Sequence, residues 1–369
     1  MDTAHDAAFA AAVLMWFDQH GRKDLPWKTP VDPYRIWVSE IMLQQTRVQT
    51  VVGYFQRFVA RFPDVQALAD ASEDEVLEQW SGLGYYARCR NLHAAARALR
   101  DHHQGRFPQT LEALQTLPGI GRSTAAAILA QAFGQRQAIL DGNVKRVLAR
   151  YAAIDGWPGA PSVQKRLWAI AERLTPTARV ADYTQAMMDL GAMVCVRSRP
   201  RCEACPVHAA CQALAQGRTH ELPDPKPKKT LPDRHKTWLL IRDAQGRVLL
   251  ERRPPHGIWG GLWTFPELDA DDDIEAWLGQ RLGHYPDPAP SIHDASEGVT
   301  HVFSHFRLHA RLRFLELPRV RAIVRDIDRM CWREPDAPPP GGVPAPVARL
   351  LERLADITNR KAADWGAGP

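Results

Sequence analysis

No stretch of this chain holds the roughly 18 consecutive apolar residues that a membrane-spanning helix needs. The one apolar run near the start, "AAFAAAVLMWF", follows Asp2 and Asp6 instead of a basic segment and leads into no cleavage site. It reads as an amphipathic helix and not as an export signal. Cysteine is scarce, 6 in 369 residues, far below the density of a disulfide scaffold. Without an export signal the expected compartment is the cytoplasm, nucleoid-associated in a bacterium, where thiols stay reduced. Residues 1–220 also lack clean apolar–polar alternation, which argues against half-buried strands there. Charge of one sign is only weakly in excess, at +5 overall. That suits a nucleic-acid partner without proving one, since clustering matters more than the total.

What the first part does hold is helix. Segments such as "EDEVLEQWSGL", "LHAAARALRDHH", "LEALQTL" and "STAAAILAQAFG" space apolar residues by three and four, with Gly or Pro between them. Residues 1–221 carry 25 Lys+Arg against 21 Asp+Glu, so most of the basic excess sits here. The character changes at "LPDPKPKKTLPDRHK", residues 222–236, where four prolines and five lysines or arginines predict an extended, solvated linker. Beyond it "TWLLIRDAQGRVLLERR" predicts a hairpin, "VTHVFSHFRLHARLRFLEL" one or two strands, and "APVARLLERLAD" a closing helix. The expectation is a helical domain over 1–221, a linker over 222–236, an α+β domain over 237–358, and a disordered tail over 359–369.

Four of the cysteines fall in "CVRSRPRCEACPVHAAC", spaced C-x6-C-x2-C-x5-C as Cys195, Cys202, Cys205 and Cys211. Four soft thiolates fill either a tetrahedral zinc or an iron–sulfur coordination set. Structural zinc usually uses two close pairs, and only one exists here, so the spacing leans to a cluster and leaves zinc open. Cys89 and Cys331 stand alone and read as small buried hydrophobes.

"LPGIGRSTA" places Gly119 and Gly121 between two helical runs. The glycines suit positive φ and close approach, and the helix starting at Arg122–Ser123 turns free N–H groups outward, as a DNA phosphate requires. Downstream, Asp141 in "AILDGNVKRVLARY" precedes a helix and suits an N-cap. Upstream, Glu40 in "WVSEIMLQQT" sits mid-helix among apolar residues.

The hairpin, an Asp twenty residues after its last glycine, and the cysteine spacing together resemble the helix–hairpin–helix DNA glycosylases that carry a [4Fe–4S] cluster. Two types compete within that superfamily. Endonuclease III relatives carry a lysine in the hairpin, in a pattern like LPGVGRKTA, that attacks the sugar; this chain has Ser123 there. "WVSEIMLQQT" resembles the catalytic helix of the adenine-glycosylase (MutY) type. "GIWGGLWTFPE" and "HVFSHF" resemble the MutT-like (Nudix-like) domain with which that type reads 8-oxoguanine. The expected architecture is therefore an all-α helix–hairpin–helix glycosylase core with a [4Fe–4S] loop, followed by an α+β MutT-like domain.

The resemblance implies a monofunctional enzyme that removes adenine mispaired with 8-oxoguanine or guanine from double-stranded DNA, as a monomer. It implies Glu40 as the acid that protonates the flipped base, Asp141 as the anion that stabilises the cationic sugar, and Asn143 in support. Arg22, Leu25, Trp27 and Gln185 would line the adenine pocket. Leu43, Gln45, Thr46 and Tyr85 would meet the opposite strand and the stack, and Ser304 and His305 the 8-oxoguanine. Gly119, Gly121, Arg122, Ser123 and Lys145 would meet DNA phosphates, as would Arg197, Arg199 and Arg201 inside the cysteine segment. The rivals are an endonuclease III-like glycosylase/AP lyase, a nucleotide pyrophosphatase and a non-enzymatic iron–sulfur DNA-binding protein. "LDADDDIEAWLGQRLG" lacks the paired glutamates of the pyrophosphatase motif REUxEE, so no nucleotide hydrolysis is expected.

Overall fold

The computed structural model describes residues 3–227, 230–255, 257–282, 291–295, 297–317 and 329–366. The chain forms two compact units, one of Met1–Ala71 with Ala87–Lys228, the other of Ser72–Tyr86 with Lys229–Pro369.

The first unit is helical. Its helices are α1 (Thr3–His20), α2 (Pro33–Leu43), α3 (Val48–Arg61) and α4 (Val65–Asp70), and, after the excursion of residues 72–86, α6 (Ala87–His103), α7 (Leu111–Gln115), α8 (Arg122–Phe133), α9 (Gly142–Tyr151), α10 (Pro161–Leu174), α11 (Val180–Asp189) and the short α12 (Gln212–Ala215). Local chemistry sets the ends. Asp32 caps α2 by accepting the Tyr34 N–H at 2.9 Å, with Pro33 pre-set at the first position. Gly134 closes α8 in the left-handed region, at φ 65°. Val13, Phe17, Leu148, Ala186 and Leu190, from α1, α9, α11 and the turn after it, belong to one buried core.

The second unit is built on a mixed sheet. Its strands are β1 (Asp233–Asp243), β2 (Val248–Arg252), β3 (Trp263–Thr264), β4 (Glu267–Asp269), β5 (Ser291–Asp294), β6 (Val299–Val302), β7 (Arg307–Leu317) and β8 (Met330–Arg333). The order is β3-β2-β1-β7-β5, and β4, β6 and β8 pair with β1, β7 and β2. The hairpin about "DAQG" is present, Arg242 opposite Val248. The pattern gave no sign that β1 and β7 run parallel from Asp233 opposite Arg307 to Asp243 opposite Leu317. Both faces of β1 are buried, which is why it reads as a continuous apolar run. Trp238 and Leu240 pack with Val347 and Leu350 of α14 (Ala345–Gly366), while Leu239 and Ile241 pack with Leu278 of α13 (Ile274–Leu282).

Three boundaries differ from the sequence expectation. β1 begins at Asp233, so the last residues of the expected linker are strand, and Lys228 and Lys229 lie outside the described residues. α14 runs to Gly366, past residue 358 where order was expected to end, and residues 367–369 are outside the described residues. The third concerns α5 (Glu73–Trp80), which carries a full capping box between Ser72 and Glu75 yet belongs to the second unit. There Asp74 pairs with Arg252 at 2.8 Å, and the Tyr86 hydroxyl donates to the Val343 carbonyl at 2.8 Å.

Candidate active site

Two carboxylates define a site in the helical unit. Glu40 sits near the end of α2, and Asp141 is the N-cap of α9, its Oδ1 accepting the Val144 N–H at 2.8 Å. Burial drives the Glu40 carboxyl up to about 7. A hydrogen bond from Gln131 Nε2 to Glu40 Oε1, at 3.0 Å, opposes that rise, and the nearby charge of Asp141 adds to it. An acid with such a value is half protonated near neutral pH and is suited to giving a proton up.

Asp141 is the expected N-cap, and two effects compete there. Its cap donors, the N–H groups of Val144 and Asn143, do lower its pKa, but burial outweighs them and the net direction is upward. The Asn143 side chain, expected to orient Asp141, instead accepts from Arg146 Nη2 at 2.9 Å, so Asn143 serves Asp141 through its backbone. Lys145 is half-buried, and desolvation lowers its pKa against the pull of Asp141.

Beside Gln131 opens a cavity of about 430 Å³ with Phe17, Lys28 and Ile36 in its wall. Lys28 went unread in the sequence, where a lysine after Trp27 looks like solvent; here burial lowers its amine's pKa and its Nζ lies 5.1 Å from the Phe17 ring centre. Of the expected pocket residues, Arg22 and Gln185 are both bound to Asp189. Arg22 donates to Asp189 Oδ1 at 2.9 and 2.6 Å, and Gln185 Nε2 donates to the same oxygen at 2.7 Å. Leu25 is half-buried, and Trp27 is core, 2% exposed and edge-on to Phe55.

Leu43 is the last residue of α2, and the turn that follows holds Gln45 and Thr46, with Gln45 in the left-handed region at φ 59°. Its clamp is Arg88, which donates to the carbonyls of Ile41 and Met42 at 3.0 and 2.8 Å, to the Gln44 carbonyl, and to Thr46 Oγ1 at 3.2 Å. Tyr85, Ser304 and His305 belong to the second unit. Tyr85 is 55% exposed at φ 50°, and the exposed Ser304 and His305 sit between β6 and β7 with Oγ and Nδ1 3.3 Å apart.

In the hairpin only Gly119 needs the left-handed region, at φ 76°, where a Cβ would also meet Asn91 at 2.8 Å. Gly121 is the N-cap of α8 at φ −86°, which any residue adopts. Arg122 begins α8 as expected, but it is paired with Glu172 and its guanidinium lies 3.9 Å from the centre of the Trp168 ring. Ser123 Oγ accepts the Leu140 N–H at 3.0 Å, tying the hairpin to the residue before Asp141.

All four cysteines of the C-x6-C-x2-C-x5-C segment are free thiols lining one cavity. Among the described residues, no three metal-binding side chains converge closely enough for a single ion. The donor set nonetheless fits a thiolate-held cluster. Burial pushes the Cys205 thiol up to about 11, so strong nearby positive charge is needed to hold these sulfurs as thiolates. Arg150 Nη1 lies 3.4 Å from Cys195 Sγ, and the same guanidinium binds the carbonyls of Val196, Arg197 and Leu222. Arg197, Arg199 and Arg201 are exposed, with Arg201 bonded to the Met193 carbonyl.

Residues 38–173 match the HhH-GPD superfamily of base excision DNA repair proteins, and residues 237–353 match the NUDIX domain. An adenine DNA glycosylase of Buchnera aphidicola (Acyrthosiphon pisum) is 36% identical over 94% of this chain and 97% of its own length. The human adenine DNA glycosylase is 36% identical over 83% of this chain and 66% of its own length. The chain belongs to the adenine DNA glycosylase family. It is thus a glycosylase, a hydrolase of N-glycosidic bonds in base excision repair, and DNA is its partner. Its helical core also superposes on a thermostable thymine-DNA glycosylase, with TM-score 0.53 and 28% identity over 58% of this chain and all of that one. Endonuclease III bound to DNA, at TM-score 0.50 and 19% identity, shares the fold. The glycosylase has no described helix long and apolar enough to cross a membrane.

Proposed function

We propose that the enzyme hydrolyses the bond between adenine and deoxyribose when the adenine stands opposite 8-oxoguanine or guanine, with Glu40 as acid and Asp141 as counter-charge. The base must leave the stack to be reached, at a cost of a few kcal/mol that is smaller at a mispair. Protonated Glu40 donates to N7 of the extruded adenine, making it a leaving group. The carboxylate of Asp141 stabilises the oxocarbenium-like sugar until water adds. The observation that carries this reading is the pairing itself: one carboxyl raised to about 7, partly by the charge of the other. Two titratable groups with such coupled environments suit an acid and an anion working together.

DNA is held without sequence readout by the N–H groups at the start of α8, by Lys145, and by Arg197, Arg199 and Arg201. Leu43, Gln45, Thr46 and Tyr85 address the opposite strand and the stack, and Ser304 and His305 the 8-oxoguanine. Arg22, Leu25, Trp27 and Gln185 shape the base pocket, Arg22 and Gln185 as a pair held by Asp189. Cys195, Cys202, Cys205 and Cys211 hold a [4Fe–4S] cluster, whose contribution is to order the arginine-bearing segment. The enzyme works as a cytoplasmic monomer, its two functions divided between residues 1–221 and the domain beyond the linker.

Single-turnover adenine release from an A·8-oxoguanine duplex tests the chemistry. Glu40→Gln is expected to bind that duplex and release no measurable adenine, and near-normal release would remove Glu40 from its role. Borohydride should trap no covalent enzyme–DNA adduct. A brown protein absorbing near ~400 nm is the expected sign of the cluster, and a colourless one would refute it.

A further inference from the structure

We infer that Gln131 is a positioning residue for the acid: its amide fixes the Glu40 carboxyl so that the transferable proton resides on Oε2, the oxygen left to face the base. The inference rests on Glu40 being the acid, as proposed above.

α2 and α8 pack against one another, and α8 is buried all along Ala125–Ala130, where four alanines flank Ile128 and Leu129. Gln131 follows that buried run, one turn beyond Ala127 and Ile128, which are 2% and 0% exposed. Packing alone asks for an apolar side chain at such a position, because an amide placed there costs free energy unless it is hydrogen-bonded. Its described bond is the one to Glu40 Oε1, at 3.0 Å, and Gln131 itself borders the 430 Å³ cavity. No described residue donates to Oε2.

The chemistry of the contact is one-sided. A neutral carboxyl has one carbonyl oxygen and one hydroxyl, and an N–H aimed at Oε1 keeps the hydrogen off that oxygen. After the proton has gone to the base, the same N–H faces a carboxylate and binds it more strongly, since hydrogen bonds to charged acceptors are the stronger ones. Gln131 therefore orients the acid before transfer and stabilises its conjugate base afterwards. It also opposes the effect of burial, keeping Glu40 acidic enough to release its proton at neutral pH.

The test is the pH profile of single-turnover adenine release from an A·8-oxoguanine duplex, from about pH 5 to about pH 9, for the wild-type enzyme, Gln131→Met, Gln131→Glu and Glu40→Gln. Gln131→Met keeps the length and removes the donor. Its alkaline limb is expected to move up by about one pH unit, and its low-pH plateau to fall about 3- to 10-fold from lost orientation. Gln131→Glu brings a second carboxyl that cannot donate once ionised, so its limb moves at least as far. Either variant suffices, with thermal unfolding showing that it is folded. A limb and plateau matching wild type in both would overturn the role of Gln131 while leaving Glu40 in place. Retained activity in Glu40→Gln would instead remove the acid, and with it the premise.

Discussion

Two nitrogens of Arg22 close on a single oxygen of Asp189, Nε at 2.9 Å and Nη2 at 2.6 Å, while the Arg22 backbone N–H takes the other oxygen at 2.8 Å. The Asp189 side chain is 0% exposed and that of Arg22 27%. Removing one partner of a buried pair leaves the other charge uncompensated, at a cost of about 3–5 kcal/mol. Asp189→Ala should lose about that much stability in denaturant unfolding, and Asp189→Asn less. Unchanged midpoints for both would show that the triad of Arg22, Asp189 and Gln185 holds nothing together.

The Glu40 value predicts an opposite sign for stability. A carboxyl near 4.5 in the unfolded chain and raised to about 7 in the fold favours the folded state while protonated. That contribution is whole below about pH 4.5 and is lost as pH rises through about 7. Glu40→Gln, neutral throughout, should unfold at nearly the same temperature as wild type near pH ~4 and at a higher one near pH ~8, with a gain on the order of 3 kcal/mol. Calorimetry at the two values decides it, and a variant no more stable at the higher pH would contradict the burial of this acid.

Asp141 combines a cap with a charge, and one substitution separates them. Asn caps helices as well as Asp does, so Asp141→Asn should stay within about 1 kcal/mol of wild type in stability. Its adenine release should fall about 100-fold or more, because the anion facing the developing cation is gone. A variant that keeps its rate would show the carboxylate to be a cap alone.

Arg88 makes the turn after α2 a fixed object. Arg88→Met leaves the Met42 carbonyl without its donor and releases Thr46 Oγ1, while the Ile41 carbonyl keeps the Gln44 N–H and the Gln44 carbonyl keeps the Thr46 hydroxyl, each at 3.4 Å. Leaving one buried acceptor unpaired predicts a loss of about 1–3 kcal/mol. The affinity ratio between A·8-oxoguanine and undamaged duplexes should shrink, because Gln45 and Thr46 lose their support. Competition binding measures that ratio, and an unaltered one would leave the turn without a part in recognition.

Much of this was legible where causes are local. Pro118 and Gly119 announce the hairpin, Asp141 announces its cap, and the two apolar runs about "DAQG" announce the pairing of β1 with β2. The residues that tune the site were not legible, because their partners are far away in the chain. Asp189 acts on Arg22 across 167 positions, Gln131 on Glu40 across 91, and Arg88 on Thr46 across 42. Nor did the pattern show which of two opposed effects prevails at Asp141, where burial outweighs the cap, since burial is a property of the assembled fold.

The chain enters the second unit at Ser72, leaves it at Tyr86 and returns only after Lys228. On the ribosome, residues 72–86 therefore emerge long before Arg252 and Val343, the groups that Asp74 and Tyr86 bind. A fragment ended at the linker would carry this excursion with those bonds unmade, so cutting the gene at its apparent domain boundary does not cut the molecule there.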